Sequence, residues 1–256
     1  TRCMVSEDVQ RLLEQLHQEQ PAYKPNERIL EQLQGVTVVC FVGAACMGKT
    51  TLMDALTAYA PERYGKTRNF TSRPPRPDDD PKRYYYFDHT DESLNPILHS
   101  VDKHDLLQYN IDPFSWYVYG SNIEDYPHPY NLCDIWSSSI AGFRQLGFKK
   151  LDVFSVVTEP DSWAARLDAR FAPENPLRLA RLREAVQSLE WSLRQTSPDH
   201  HWVISRNGQI DQAVAHVDTT LQGEHSAHQQ HAEQLAKACL ERAKQLAQYY
   251  TSREEV

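Results

Sequence analysis

The segment that most constrains the fold is an apolar run at 36–42, followed at once by a loop with two glycines. The run reads Val-Thr-Val-Val-Cys-Phe-Val and lacks polar alternation, so it predicts a parallel strand buried on both faces. Residues 43–50 read Gly-Ala-Ala-Cys-Met-Gly-Lys-Thr, which fits the pattern G-x-x-x-x-G-K-[ST]. Leu52, Met53 and Leu56 then recur with helical spacing. A strand, this loop and a helix in that order predict a phosphate-binding loop.

Each part of this loop has a physical reason to hold phosphate. Glycines let the backbone curl so that its N–H groups point at phosphate oxygens, and the helix that follows adds the positive end of its dipole. Lys49 is expected to reach the β- and γ-phosphates of ATP, and the Thr50 hydroxyl to bind Mg²⁺. An ordinary strand–turn–helix corner is the alternative, but it has no need for the Lys-Thr pair. Cys46 would be strained if the loop required a positive φ there.

Strand and helix patterns alternate along most of the chain. This alternation predicts βαβ crossovers, and therefore a three-layer α/β fold with a parallel sheet. The predicted strands are 36–42, 84–87, 132–135, 153–157 and 202–205. The predicted helices are 1–20, 50–59, 97–108, 137–146, 161–172, 177–195, 211–221 and 224–250, with Ser6 and Asp161 as possible caps. Prolines and charges at 71–82 argue against regular structure there, and His200 and His201 are predicted to lie in a loop.

Composition excludes several classes of protein. The 256 residues, 40% of them hydrophobic, are enough for one full-sized core. The longest apolar run is far shorter than the ~20 residues that cross a bilayer, and no secretory signal is visible. Five scattered cysteines without a CxxC pair indicate reduced thiols in a cytoplasmic protein (Cys3, Cys40, Cys46, Cys133 and Cys239). A net charge of −8 disfavours nucleic acid as a partner, although arginines gathered in one cleft could still hold a small phosphate ligand.

A second candidate phosphate site lies in the arginine- and proline-rich segment at 71–79. Arg73 and Arg76 are flanked by three prolines, which hold the backbone extended. Two guanidinium groups fixed in this way suit a phosphate monoester. A tyrosine hydroxyl could also donate to it, and the candidates are Tyr84, Tyr85, Tyr86 and Tyr119. By composition alone, a solvated proline-rich loop explains the same segment.

Together, these motifs resemble the guanylate kinase family over about residues 36–221. The family carries a segment S-x-T-T-R-x-P-R-x-x-E, then a D-Y-x-F strand and a Y-Y-G-[ST] turn. The matching residues are Arg73, Arg76, Asp79, Tyr85, Phe87, Tyr119, Gly120 and Ser121. Arg166, Arg170 and Arg181 match the arginines of two further family helices, and Asn207 matches a segment that lies near the adenine. The resemblance implies a P-loop NTPase fold with a small NMP-binding subdomain at 68–131 and a helical lid at 161–195.

The resemblance also implies phosphoryl transfer from ATP to a nucleoside monophosphate, with Mg²⁺ as cofactor and GMP as the first acceptor to consider. It assigns catalytic roles to Lys49, Arg166, Arg170 and Arg181, and metal binding to Thr50 and, through a water, to Asp134. The implied ATP-binding residues are Gly43, Ala44, Ala45, Cys46, Met47, Gly48, Lys49, Thr50, Thr51 and Asn207. The implied NMP-binding residues are Asn69, Arg73, Arg76, Asp79, Tyr85, Gln108, Tyr119 and Ser121.

The positions that would read the base depart from the family. Gln108 stands where the family has a glutamate, although Asp105 or Asp112 could substitute for it. A glutamine offers a donor beside its acceptor, so one guanine donor would face another, at a cost of about 1–3 kcal/mol. Asn69 replaces a serine, and Trp136 replaces the second carboxylate of a D-x-D segment, where it either stacks on a base or fills core.

These departures leave two alternatives open. The acceptor could be another nucleotide or a phosphorylated sugar. The chain could also be a non-catalytic module of the same type that binds a phosphorylated protein, although such modules usually lose the lysine that is present here as Lys49.

The resemblance leaves a helical extension at 1–35 and a C-terminal helix at 222–256 unexplained. Both helices have narrow apolar faces, that of the first formed by Val9, Leu12, Leu13 and Leu16. They could pack together, cap a sheet edge, form a homodimer or recruit a protein partner. His225, His228 and His231 could bind a transition metal, but their spacing sweeps around a polar helix and favours a solvated face.

Overall fold

The computed structural model describes residues 5–76, 79, 83–112, 115–224 and 228–254, with side chains up to 252. Cys3 and His225, both considered above, lie outside these residues. The chain forms two compact units. The first contains Thr1–Thr37, Gly65–Asn131 and Gly142–Lys149, and the second contains Val38–Tyr64, Leu132–Ala141 and Lys150–Val256.

The secondary structure of the described residues follows the alternation expected of an α/β protein. The helices are α1 (Glu7–Glu19), α2 (Glu27–Leu33), α3 (Lys49–Tyr59), α4 (Asp91–Asp102), α5 (Ile140–Gln145), α6 (Pro160–Arg170), α7 (Arg178–Leu193), α8 (Ile210–Leu221) and α9 (Gln229–Glu254). The strands are β1 (Thr37–Val42), β2 (Tyr64–Lys66), β3 (Asn69–Thr71), β4 (Tyr84–Tyr86), β5 (Gln108–Ile111), β6 (Val118–Ser121), β7 (Tyr130–Asp134), β8 (Lys150–Val157) and β9 (His200–Ile204). None of the helices in the described part of the chain has the length and hydropathy needed to cross a membrane.

The second unit contains most residues of a parallel five-stranded sheet, which has the order β2-β7-β1-β8-β9. Residues 38–42 of β1 are fully buried at the centre of the sheet, which confirms the strand predicted from the apolar run. The α/β class with a parallel sheet is therefore confirmed. The prediction that His200 and His201 lie in a loop is wrong, because they begin β9 and pair with Val153 and Phe154 of β8.

The first unit contains a four-stranded sheet in the order β4-β3-β6-β5. Strand β3 pairs parallel to β4 and antiparallel to β6, which pairs antiparallel to β5. One face of this sheet packs on α1 and α4 through a core that includes Leu13, Leu94, Phe70, Tyr109 and Val118.

The predicted helix at 97–108 is wrong at both ends. Helix α4 begins earlier, where the Thr90 hydroxyl accepts a hydrogen bond from the Ser93 N–H. It ends at Asp102 because His104 adopts a left-handed φ of +57°, which a helix cannot continue through. Gln108 therefore lies on strand β5 and not at a helix end.

Two details of helix capping and packing also differ from the expectations. Ser6 caps α1 as predicted, but Asp161 lies inside the first turn of α6, whose cap position is taken by Glu159 ahead of Pro160. Proline is favoured at the first helical position because its missing N–H has no partner there anyway. Leu12 of α1 is 38% exposed because it lies at the edge of the narrow buried stripe.

The C-terminal helix α9 packs inside the second unit, mainly against α7. Its buried positions are Ala232, Ala236, Cys239 and Ala243. Of the larger apolar residues on this helix, Leu235, Leu246 and Tyr250 are only partly buried. Small side chains form the contact because they let two helix backbones approach closely. Helix α9 therefore packs within the second unit, and α1 likewise packs on β5 within the first unit.

Candidate functional site

The phosphate loop predicted from the sequence lies between β1 and α3 in the second unit. Gly43 and Gly48 have φ values of +146° and +96°, which side chains rarely tolerate. A Cβ at Gly43 would lie 2.8 Å from the Val156 carbonyl oxygen, and one at Gly48 would lie 2.5 Å from Ser205 Oγ. Both glycines are therefore needed for backbone conformation and for space.

Cys46 has a φ of +68°, so the strain expected at this position is present. Burial raises the pKa of the Cys46 thiol, although the nearby cations of Arg170 and Lys49 oppose that shift. The thiol is therefore protonated at neutral pH and adds no negative charge to a loop that would bind phosphate.

The Lys49 side chain folds back onto this loop. Its Nζ donates hydrogen bonds to the carbonyl oxygens of Gly43 at 2.6 Å and Ala44 at 3.2 Å. Asp134, at the end of β7, has a carboxylate oxygen 3.8 Å from the same Nζ. The ammonium group is thus held against the loop by two carbonyl oxygens, with a carboxylate nearby.

The residues proposed for Mg²⁺ fit its chemistry. Thr50 is exposed in the first turn of α3, and Asp134 supplies a carboxylate close to Lys49. Mg²⁺ prefers oxygen ligands and retains several waters, so one hydroxyl and one carboxylate that acts through water suit it. Within the described residues no larger group of His, Cys, Asp and Glu is arranged to hold a metal.

Helix α6 contacts the loop from the other side. The indole N–H of the buried Trp163 donates to the Ala45 carbonyl oxygen at 2.9 Å. Arg166 donates to the Cys46 carbonyl oxygen at 3.4 Å and to the Asn207 side-chain oxygen at 2.6 Å. Trp163 was missed in the sequence, where its helical spacing indicates a core residue but not a hydrogen bond to the loop.

The other predicted residues of the second unit differ in their exposure and in their contacts. Arg170 is exposed and forms a hydrogen bond with the Cys46 side chain. Arg181 binds Glu184 at 2.6 Å, and its guanidinium lies 5.7 Å from the Phe171 ring. Ala44 and Met47 are fully buried, so only their backbone groups are available to a ligand, and Thr51 is exposed on α3.

The first unit holds Arg73 in a tight ion pair. Its guanidinium forms two hydrogen bonds of 2.7 Å with the carboxylate of Asp79, and Arg73 is only 5% exposed. Asp79 also accepts from the backbone N–H of Arg76 and from the Tyr86 hydroxyl. The Arg73 guanidinium therefore holds the pKa of Asp79 well below its usual range. Arg76 is exposed, so its side chain is accessible to an anion.

The strand register separates Tyr85 from its neighbours. Tyr84 and Tyr86 align with Asn69 and Thr71 of β3, whereas Tyr85 aligns with the core residue Phe70. Neighbouring residues of a strand point to opposite faces, so Tyr84 and Tyr86, not Tyr85, share a face with Asn69. Their rings lie 5.1 and 5.7 Å from the Arg73 guanidinium.

Tyr85 instead lies 3.8 Å from the guanidinium of Arg68. Both residues line an open cavity of about 550 Å³, the other lining residues being Pro75, Arg76, Asp79, Tyr84 and Tyr86. Arg68 was missed in the sequence. The three tyrosines of β4 were recognised together, but the resemblance singled out Tyr85, and only the face assignment of the strand could have identified Tyr84 and Tyr86 as the neighbours of Arg73.

Tyr119 is half-buried on β6, where it aligns with Thr71 of β3. Burial raises the pKa of its hydroxyl, while the nearby charges of Arg73 and Arg76 oppose that shift. The hydroxyl is therefore protonated at neutral pH and can donate a hydrogen bond to a phosphate that approaches these arginines.

Gln108 and Ser121 are brought together by strand pairing. They are aligned partners of β5 and β6, and the Gln108 side-chain nitrogen donates to Ser121 Oγ at 3.2 Å. The alternatives to Gln108 are placed elsewhere. Asp105 accepts a hydrogen bond from the Asn26 side chain, and Asp112 accepts one from the Ser115 N–H.

Trp136 and two of the three C-terminal histidines, His228 and His231, lie among the described residues. Trp136 is 66% exposed after the end of β7, so the interpretation that it fills core is wrong. The His228 ring lies 5.7 Å from that of His216, and His231 Nε2 accepts a hydrogen bond of 2.8 Å from Arg206.

No protein-family model matches this chain, and no curated protein sequence matches it. Among solved structures, the chain is similar to the guanylate kinase from Anaplasma phagocytophilum, with 15% sequence identity and a TM-score of 0.47. The match covers 76% of this chain and 89% of that one. The chemistry of the candidate site therefore rests on the residues described above.

Proposed function

We propose that this chain transfers a phosphoryl group from ATP to the phosphate of a nucleoside monophosphate. The observation that carries the proposal is the phosphate loop of the second unit. There, two glycines with positive φ, the ammonium group of Lys49 and the guanidinium group of Arg166 are held together by hydrogen bonds and close packing. An ordinary strand–turn–helix corner that binds no ligand does not require this combination of features.

The donor nucleotide would be bound by the second unit. Backbone N–H groups of the loop and the first turn of α3 would donate hydrogen bonds to its phosphate oxygens. Lys49 would exchange the carbonyl oxygens of Gly43 and Ala44 for phosphate oxygens. Arg166 and Arg170, which already contact the loop at Cys46, would neutralise charge on the transferring group.

Thr50 and, through a water, Asp134 would hold Mg²⁺, which when bound neutralises part of the negative charge of the phosphates. Asp134 also lies close enough to Lys49 to orient its ammonium group. Catalysis would thus come from positioning and charge neutralisation by the residues around the loop.

The acceptor phosphate would be bound by the first unit. Arg76 is exposed, Tyr119 keeps its hydroxyl proton, and Arg73 is fixed by Asp79. A phosphate monoester is largely ionised at neutral pH, so its oxygen can attack without a general base. GMP is the acceptor that the sequence resemblance names, and another phosphorylated acceptor is the second candidate because Gln108 stands beside Ser121.

The proposal is tested by incubating the protein with ATP, Mg²⁺ and each nucleoside monophosphate and measuring nucleoside diphosphate. Replacement of Lys49 by Met should lower the rate by about 100-fold or more, because one preorganised electrostatic contact is lost. The matched variant Lys237→Met, on the exposed side of α9, should keep the wild-type rate. Absence of a diphosphate product with every monophosphate would refute the proposal.

Calorimetric titration with ATP and Mg²⁺ separates an enzyme from a non-catalytic binding module, which should show no heat of nucleotide binding.

We also place the protein in a reducing compartment such as the cytoplasm. This is supported by the cysteines that the structure describes, which form no disulfide.

A further inference from the structure

The candidate phosphate loop contains a turn whose form is unusual for its sequence. Residues 44–47 form a four-residue turn, closed by a hydrogen bond of 3.3 Å from the Met47 N–H to the Ala44 carbonyl oxygen. Cys46, its third residue, has a φ of +68°, whereas the φ of Ala45, its second residue, is not positive. This combination defines a type II turn, which favours glycine or asparagine at the third position. Alanine followed by cysteine suits a type I turn instead, because that form accepts most residues.

The two turn forms differ in the direction of one peptide group. Between type I and type II the central peptide rotates by about half a turn, which exchanges the directions of its C=O and N–H groups. In this turn the central peptide joins Ala45 to Cys46. The closing hydrogen bond is common to both forms, so it does not select between them.

Trp163 of α6 makes the contact that does select. Its indole N–H donates to the Ala45 carbonyl oxygen at 2.9 Å, and Trp163 is fully buried. In a type I turn this carbonyl would point away and leave the indole N–H as a buried donor without a partner. The cost of such a donor is comparable to, or larger than, the strain of a left-handed residue. The hydrogen bond from Trp163 therefore holds the turn in the type II form.

The same hydrogen bond determines where the Cys46 N–H points. The C=O and N–H groups of a trans peptide point in opposite directions. Because the Ala45 carbonyl is directed at Trp163, the Cys46 N–H is directed away from it. In the part of the chain that the structure describes, this N–H donates to no other group. It is therefore available to a ligand.

We infer, on the basis of the proposed function, that Trp163 is a positioning residue for ATP. Its indole N–H holds the turn in the type II form, and the Cys46 N–H directed in this way donates to a phosphate oxygen of the nucleotide. Without the indole N–H, the strain at Cys46 favours the type I form by a factor of about 5 to 30. In that form the Ala45 carbonyl oxygen replaces the Cys46 N–H and repels phosphate.

The test measures the dissociation constant of ATP, with Mg²⁺ present, by calorimetric titration. Trp163→Phe removes the donor but keeps an aromatic ring, and it should raise the dissociation constant about 5- to 30-fold, because only the type II fraction binds. In the Cys46→Gly background the same substitution should raise it no more than about twofold, because glycine adopts either sign of φ about equally readily. The matched control Trp202→Phe removes another buried indole, on β9, and should change the affinity less than about twofold.

A purely structural role for Trp163 predicts a different result. Lost packing would weaken ATP binding equally in both backgrounds, and an equal loss overturns the inference, as does an unchanged affinity of Trp163→Phe. If Trp163→Phe does not fold, benzothienylalanine at position 163 repeats the comparison with the same expected values, since it keeps the shape of the indole while sulfur replaces the N–H.

The outcomes also separate this inference from the proposed function. If the affinities follow the expected pattern but no monophosphate is converted to a diphosphate, the proposed function fails and the inference stands. If diphosphate is formed and the loss of affinity does not depend on residue 46, the inference fails and the proposed function stands. If the wild-type protein binds no ATP, both are refuted.

Discussion

Replacement of Gly48 by alanine tests how tightly the phosphate loop is packed. Gly48 has a φ of +96°, and its missing Cβ leaves room for Ser205, whose Oγ would lie 2.5 Å from that atom. Ser205 is itself buried, so it has little space into which it can move. The substitution therefore imposes both backbone strain and a steric overlap.

The two costs can be estimated separately. A residue with a Cβ in the left-handed region costs about 1–2 kcal/mol, and overpacking a buried site costs about 1–3 kcal/mol. The expected loss for Gly48→Ala is therefore about 2–5 kcal/mol, a large part of the roughly 5–15 kcal/mol that stabilises an ordinary domain. Adding Ser205→Ala should recover only the part due to Oγ, because the Ser205 Cβ would remain 3.3 Å from the new methyl group.

Two other glycines are matched controls in a urea unfolding experiment followed by tryptophan fluorescence. Gly147 has a φ of +80° with open space around its missing Cβ, so Gly147→Ala should cost only the strain. Gly142 has neither a positive φ nor a close neighbour and lies inside α5, so Gly142→Ala should gain up to about 1 kcal/mol. If Gly48→Ala costs no more than Gly147→Ala, the close packing described for the loop is refuted.

Three further predictions concern ion pairing, strain and helix packing. Asp79→Asn leaves the guanidinium of Arg73 buried without its carboxylate and should cost about 3–5 kcal/mol at neutral pH. The pKa of Asp79 is depressed in the folded state, so its contribution to the free energy of unfolding is present above the ordinary Asp pKa and is lost as the pH falls below it. The difference in urea stability between wild type and variant should therefore shrink from about pH 5 towards pH 3. A difference that stays constant over this range would contradict the ion pair. Cys46→Gly should be about 1 kcal/mol more stable than Cys46→Ala, since only glycine relieves the positive φ, and equal unfolding midpoints would show that no strain is stored there. Ala236→Leu should lower the free energy of unfolding by about 1–3 kcal/mol, because this position is fully buried on α9. The control Ala238→Leu, on the exposed side of α9, should change it by no more than about 0.5 kcal/mol. Similar thermal unfolding of the two variants would mean that α9 is not packed as described.

The strand, loop and helix at the candidate phosphate site could be predicted because all the information lies within about 20 consecutive residues. The apolar run requires a buried strand, the glycines permit a left-handed backbone, and the helical spacing begins directly after Lys49. The strain at Cys46 was only a conditional expectation, because the motif does not fix φ at that position; the structure supplies the φ of +68°. The longer helices and strands of the second unit were also recognisable, since each has a sustained apolar period.

The first unit was harder to predict because its strands are only three or four residues long. Asn69 and Gln108 are polar strand residues, and strands this short show too few alternations for a pattern to emerge. Their conformation is stabilised by pairing with β6, which lies far along the chain from β3 and forms a hairpin with β5. Local periodicity therefore extended a helix to Gln108, where the chain in fact forms β5.

The sequence by itself determined the α/β class, the strand–loop–helix order around Lys49 and the cationic residues from which the candidate site is drawn. Only the tertiary structure decided that Tyr84 and Tyr86 face Arg73, that Asp79 neutralises this arginine, and that Gln108 meets Ser121. The reason is physical. A loop motif depends on neighbouring residues, whereas the face, the charge partner and the hydrogen-bond partner of a side chain depend on strand register and burial.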